Sequence, residues 1–91
     1  MIYGEKRAII IKMDKLCFVS VEFPDDENVV GRTYWYLCRF GGAAEGDLVD
    51  APLGRHNRIQ RGVIRAVTYA AMENSPYPWY LIKDIKRLIK L

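Results

Sequence analysis

The sequence predicts a mainly β domain of the β-rich α+β kind. The expected shape is a small five- to six-stranded bent sheet or partly open barrel, with one C-terminal amphipathic helix. Three observations lead there. Short runs of β-branched and aromatic residues recur between residues 8 and 69. Gly, Pro and acidic clusters separate these runs. An apolar stripe at helical spacing follows only after residue 80.

The elements follow in order. Residues 8–13, AIIIKM, read as a first strand, and Asp14 with Lys15 breaks it. Residues 16–23 alternate as a second strand, with Cys17, Val19 and Val21 on one face. The two runs together predict a hairpin. Asp25, Asp26 and Glu27 form an acidic loop that ends near Gly31. Residues 33–38, TYWYLC, form the next strand, and alternation sets Trp35 on the face opposite Tyr34 and Tyr36. Gly46 and Asp47 turn into residues 48–53, where Pro52 marks a strand end or sheet edge.

A polar, basic loop follows at residues 54–58, leading to a long strand at 59–69 with a bulge or bend at Gly62. In that strand Val63, Arg65, Val67 and Tyr69 share one face; Ile64, Ala66 and Thr68 share the other. Pro78 then admits a helix starting near Trp79. Leu81, Ile82, Ile85, Leu88 and Ile89 fall on its apolar stripe, and Lys83, Lys86, Arg87 and Lys90 on the opposite side.

Ninety-one residues, 51% of them hydrophobic and 27% charged, fit one globular domain spanning residues 1–91. No apolar run is long enough for a transmembrane span, and the first apolar run is too short for a signal peptide. A cytoplasmic location is the expectation. Cys17 and Cys38 each lie in an apolar strand and read as buried, reduced thiols; a disulfide requires the two strands to be neighbours.

Charge is divided unevenly. Residues 1–54 carry 6 Lys/Arg and 9 Asp/Glu, a net of −3, whereas residues 55–91 carry 8 Lys/Arg and 2 Asp/Glu, a net of +6. The second part is the one suited to phosphate. His56 is the sole histidine and sits in a polar loop, so no nucleophile–base or zinc set is predicted. No catalytic residue, metal or cofactor is expected.

Two constellations remain. Arg55, Arg58, Arg61 and Arg65 form a basic hairpin, beside the cations of the helix. Tyr34, Trp35, Tyr36, Tyr69, Tyr77, Trp79 and Tyr80 are aromatic; such rings stack on unpaired bases when exposed, or fill a core when buried.

The segments YWYL at 34–37, GDLVDAPLG at 46–54, GVIRAV at 62–67 and PWYLIKDI at 78–85 are shared features. Over residues 34–90 the chain resembles the N-terminal 3′-DNA-binding domain of PriA, the primosomal replication-restart helicase. The resemblance implies a small barrel that holds the 3′ end of a DNA strand. Residue by residue, it carries that family's pocket onto Tyr34, Gly54 and Lys83. The family's strand aspartate falls on Trp35, where an indole donates one N–H or stacks. Motifs of the helicase motor are absent from the sequence.

The expected function is therefore a non-enzymatic module that binds single-stranded DNA or DNA ends. Its contacts would be Tyr34, Trp35, Gly54, Arg55, Arg58, Arg61, Lys83, Lys86 and Arg87. The alternative is a protein-interaction or structural module that forms a homo-oligomer or docks a partner protein.

Overall fold

The computed structural model describes residues 15–90. Its strands are β1 (Lys15–Glu22), β2 (Thr33–Cys38), β3 (Leu48–Leu53), β4 (Arg58–Ala71), β5 (Lys83–Asp84) and β6 (Arg87–Ile89). They form one six-stranded sheet in the order β5-β2-β1-β4-β3-β6. The sheet curls into a half-barrel, so the predicted mainly β class and bent architecture are right.

Alternation builds the inner face. Val19 and Val21 of β1, Tyr36 and Cys38 of β2, and Val49 and Ala51 of β3 are all buried there with Phe23 and Ile64. Burial of these side chains is the main favourable term holding so small a domain. Phe18 and Leu37, cross-strand neighbours, are buried on the outer face. There they meet Met72, Trp79 and Ile82 along a shallow groove. The sheet is thus covered on both faces over its centre.

A β-bulge corrects the expected faces of β4. The register runs Ser20 to Ala66 and then Val21 to Ile64, leaving Arg65 as the extra residue. An inserted residue reverses the alternation. Ile64 therefore packs into the inner core, and so does Val67, three positions on. Gly62 is not the bulge; its role is close approach. A Cβ built there would lie 2.5 Å from Val21 Cγ1 and 3.0 Å from the Glu22 carbonyl oxygen.

The predicted C-terminal helix does not form. Residues 83–89 instead make β5 and β6, which pair parallel to β2 and antiparallel to β3. Between them, Ile85 N–H donates to Leu37 O at 3.1 Å and Lys86 N–H donates to Asp50 O at 2.7 Å. One short stretch of chain thereby bridges the two strands that would otherwise be sheet edges. A helix would leave those backbone groups unpaired, and an isolated helix of that length is marginal in water. Ile85, only 4% exposed, enters the core from this bridge. The apolar spacing that suggests a helix also fits two short strands joined by a bend. Before the bridge, the chain makes a single 3-10 turn at Met72–Asn74 and a tight turn in which Leu81 N–H donates to Pro78 O.

The predicted strand at residues 8–13 lies outside the described residues. The hairpin expected between that strand and residues 16–23 therefore lies outside them too. Among the described residues no helix is long and apolar enough to cross a membrane.

Candidate nucleic-acid interface

Beyond the bridge the two strands it joins remain apart. β2 pairs with β5 only at Tyr36 and Leu37, and β3 pairs with β6 only from Leu48 to Asp50. The start of β2 and the end of β3 therefore diverge. A cleft of about 350 Å³ opens between them, lined by Tyr34, Trp35 and Tyr36 on one side and Leu53 and Gly54 on the other, with Tyr77, Leu81 and Lys83 at its walls.

Each wall has a local cause. Tyr34 is half-buried, and its ring lies 6.2 Å from that of Phe23. Phe23 also meets Tyr36 edge-on at 6.1 Å. This aromatic contact fixes Tyr34 against the core. The Tyr36 hydroxyl crosses the barrel and donates to Pro52 O at 2.7 Å. Burial pushes that hydroxyl well above the ordinary tyrosine range. It acts as a neutral strut between β2 and β3. Pro52 sits at a position where no β6 partner asks for its missing N–H.

Gly54 opens the turn to β4 with φ of +82°, a conformation that favours glycine. Its carbonyl accepts from Asn57 N–H at 3.1 Å and from Lys83 Nζ at 3.0 Å. Lys83 reaches the cleft because β5 sets it opposite Tyr36. Its Nζ bonds to a neutral carbonyl, so its charge is not consumed by a carboxylate there.

The nine expected contact residues divide into groups. Tyr34, Trp35, Gly54 and Lys83 come together on the cleft. Trp35 is half-buried and belongs to the outer face of β2 by alternation, as expected. Arg55 follows Gly54 on the exposed turn. Arg58 faces elsewhere: it shares a hollow of about 520 Å³ with Asp25, Asp26 and Glu27. The acidic loop is fastened there by Gln60 Nε2 donating to Asp26 Oδ2 at 3.2 Å. Three carboxylates thus oppose the field of Arg58.

Arg61 and Arg87 are drawn to Asp50, at 2.7 and 3.3 Å. Arg61 beside Asp50 holds its carboxyl below the usual range, with Arg87 adding to the effect. Arg65 pairs with Glu22 at 2.9 Å and lowers that carboxyl, helped by Gly31 N–H. Lys90 pairs with the buried Asp47 at 2.6 Å, and Arg39 with Asp84 at 2.9 Å. Lys86 is exposed beside the bridge. With the helix gone, the expected cationic helix face is gone too.

Sequence reasoning missed Leu53 and Leu81 as cleft walls, and it missed the acids that tie down the arginines. One signal for the acids was available. Counting back from the turn at residues 54–57 places Asp50 opposite Arg61. The cleft walls had no such signal, since Leu81 reads as part of a helical stripe.

Among the described residues no group of three or more His, Cys, Asp or Glu is placed to hold a metal ion. His56 lies exposed in the turn beside Arg55. Comparison with protein-family models, with curated proteins and with solved structures returned no significant match.

Proposed function

We propose that this domain is a non-enzymatic binding module that takes a single strand of DNA, at or near its end, in the cleft between β2 and β3. One observation carries the reading. Tyr34, Gly54 and Lys83 are the three positions marked by the resemblance to the PriA domain, and they come from three distant stretches of chain to line one cleft. The chemistry is suitable. Lys83 has N–H donors beyond the one given to Gly54 O, and a carbonyl competes weakly with phosphate. Tyr34 and Trp35 offer ring surface to a base. Arg55, beside Gly54, has no ion-pair partner among the described residues and adds attraction for the backbone.

Fluorescence anisotropy of labelled single strands against salt tests the reading. Affinity should fall steeply with salt, and Lys83→Ala should weaken binding and reduce the salt slope by about one. Arg61→Ala should change affinity far less, because its charge already faces Asp50. Absence of binding at low salt overturns the reading.

A second reading rests on the exposed segment that borders the cleft. Met72, Tyr77, Trp79, Tyr80 and Leu81 are large apolar residues clustered in one exposed segment, with Tyr80 at 70% exposure. Such a patch favours a protein partner. Binding there would depend weakly on salt and be lost in Trp79→Ala.

A further inference from the structure

The other end of β2 carries a feature that the cleft does not use. Cys17 of β1 and Cys38 of β2 are directly opposed in the antiparallel register. Both are free thiols; Cys38 is buried and Cys17 half-buried. Cys38 belongs to the inner core, and Cys17 packs against it from the same face. On its other side Cys17 is paired in register with Tyr69 of β4, and Tyr69 is 59% exposed. A small reagent therefore has a route to Cys17 past an exposed side chain.

We propose that Cys17 and Cys38 are a thiol-oxidation site that closes reversibly to a cross-strand disulfide. The backbone geometry suits it. Ile85 N–H donates to Leu37 O, so the peptide groups of Leu37 face β5. Alternation turns those of Cys38 toward β1, and Cys17 with Cys38 forms a hydrogen-bonded pair of the ladder. Opposed residues of that kind have Cα atoms about 5.5 Å apart, inside the range of about 4.4–6.8 Å that disulfides span. No strand has to slide. The Cβ atoms must draw closer, from about 5 Å toward about 4 Å. The bond is therefore strained, and strained disulfides are the readily reduced kind.

The oxidant is a small-molecule disulfide such as oxidised glutathione. The Cys17 thiolate attacks one of its sulfurs, forming a mixed disulfide and expelling one glutathione thiolate. The Cys38 thiol gives up its proton and attacks the Cys17 sulfur, and the second glutathione leaves and takes a proton. Two protein thiols are oxidised to one disulfide, and one glutathione disulfide is reduced to two thiols. Cys17 is the entry point because it is the more exposed. Burial raises the Cys38 thiol above its ordinary range, which suits it to the second, intramolecular step, where proximity compensates for low thiolate content. The product would link β1 to β2 at the end of β2 opposite the cleft, and it would constrain the unfolded chain.

The test equilibrates the full chain in buffers of increasing oxidised-to-reduced glutathione ratio. Thiol titration, intact mass and thermal unfolding are followed. The expected result is loss of both thiols together, a mass lower by two hydrogens with no adduct, and a higher unfolding midpoint, all reversed by dithiothreitol. Cys17→Ser, at the half-buried position, should yield no internal disulfide at any ratio, and Cys38→Ser should accumulate the glutathione adduct on Cys17. Retention of both thiols across the series, or formation of adducts and linked dimers alone, overturns the proposal. The wild-type measurement decides the matter even where a variant fails to fold.

Discussion

The two ends of the half-barrel treat charge in opposite ways. Among the described residues, four cations at the bridged end meet carboxylates: Arg61 and Arg87 on Asp50, Lys90 on Asp47, and Arg39 on Asp84; Lys86 there stays exposed. At the open end Lys83 rests on the carbonyl of Gly54, and Arg55 projects from the turn beside it. The cations look alike in the sequence. The difference lies in where the acids fall: Asp47, Asp50 and Asp84 are all near the bridge, and the acidic loop of Asp25, Asp26 and Glu27 faces Arg58. A net positive charge therefore says little about a site until the internal partners are subtracted.

Three perturbations break or sharpen this contrast. The largest effect should come from Ile85→Ala. It empties the buried position through which the bridge enters the core, and it should lower stability by about 2–4 kcal/mol, read as a fall in the urea midpoint. A cost near zero would mean that the bridge does not close the barrel. Next is Tyr36→Phe, at the boundary between the two ends. It removes the donor to Pro52 O and leaves that carbonyl without it, so a loss of about 1–2 kcal/mol is expected from the same denaturation curves. The cleft would also widen if the strut sets its width, and salt-dependent binding should weaken along with stability.

The smallest effect on stability is expected for Asp50→Asn. Its pairs with Arg61 and Arg87 are largely solvent-exposed on the arginine side, so the loss should stay within about 1 kcal/mol. The same change frees two guanidinium groups, and nonspecific affinity for single strands should rise. No rise would mean that these arginines are not limited by Asp50. Acid should act in the same direction on stability. Asp50 and Glu22 both have carboxyls lowered by their arginines, so their contribution is present above their unfolded values and is lost as pH falls through the lowered ones. Wild-type stability should therefore drop as pH falls below about 4, and the drop should be shallower in Asp50→Asn.

Much of the fold was legible because period-two alternation reports directly on a half-buried strand. Thr33–Cys38 and Leu48–Leu53 are read from the sequence with the bounds they take in the structure. Part of the cleft was legible too, since Tyr34, Gly54 and Lys83 were marked by the resemblance and do line one surface. The faces of β4 were not, because the bulge at Arg65 shifts the alternation and nothing in the local residues announces it. The end of the chain was not legible either. Leu81, Ile82, Ile85, Leu88 and Ile89 satisfy a helical period, and local preference gives no weight to the open edges of β2 and β3.

By itself the sequence determined the mainly β class, the positions of the central strands, and the acidic and basic stretches. Those follow from short-range rules: alternation, turn residues and charge. Only the tertiary structure decided that residues 83–89 become strands, that Cys17 opposes Cys38, and which cations pair with carboxylates. Each of those depends on a partner far along the chain, namely the edges of β2 and β3, the register of β1 against β2, and the carboxylates of Asp47 and Asp50. Unpaired backbone and unpaired charge are costly when removed from water, so the fold places them by what is within reach and not by what is adjacent in sequence.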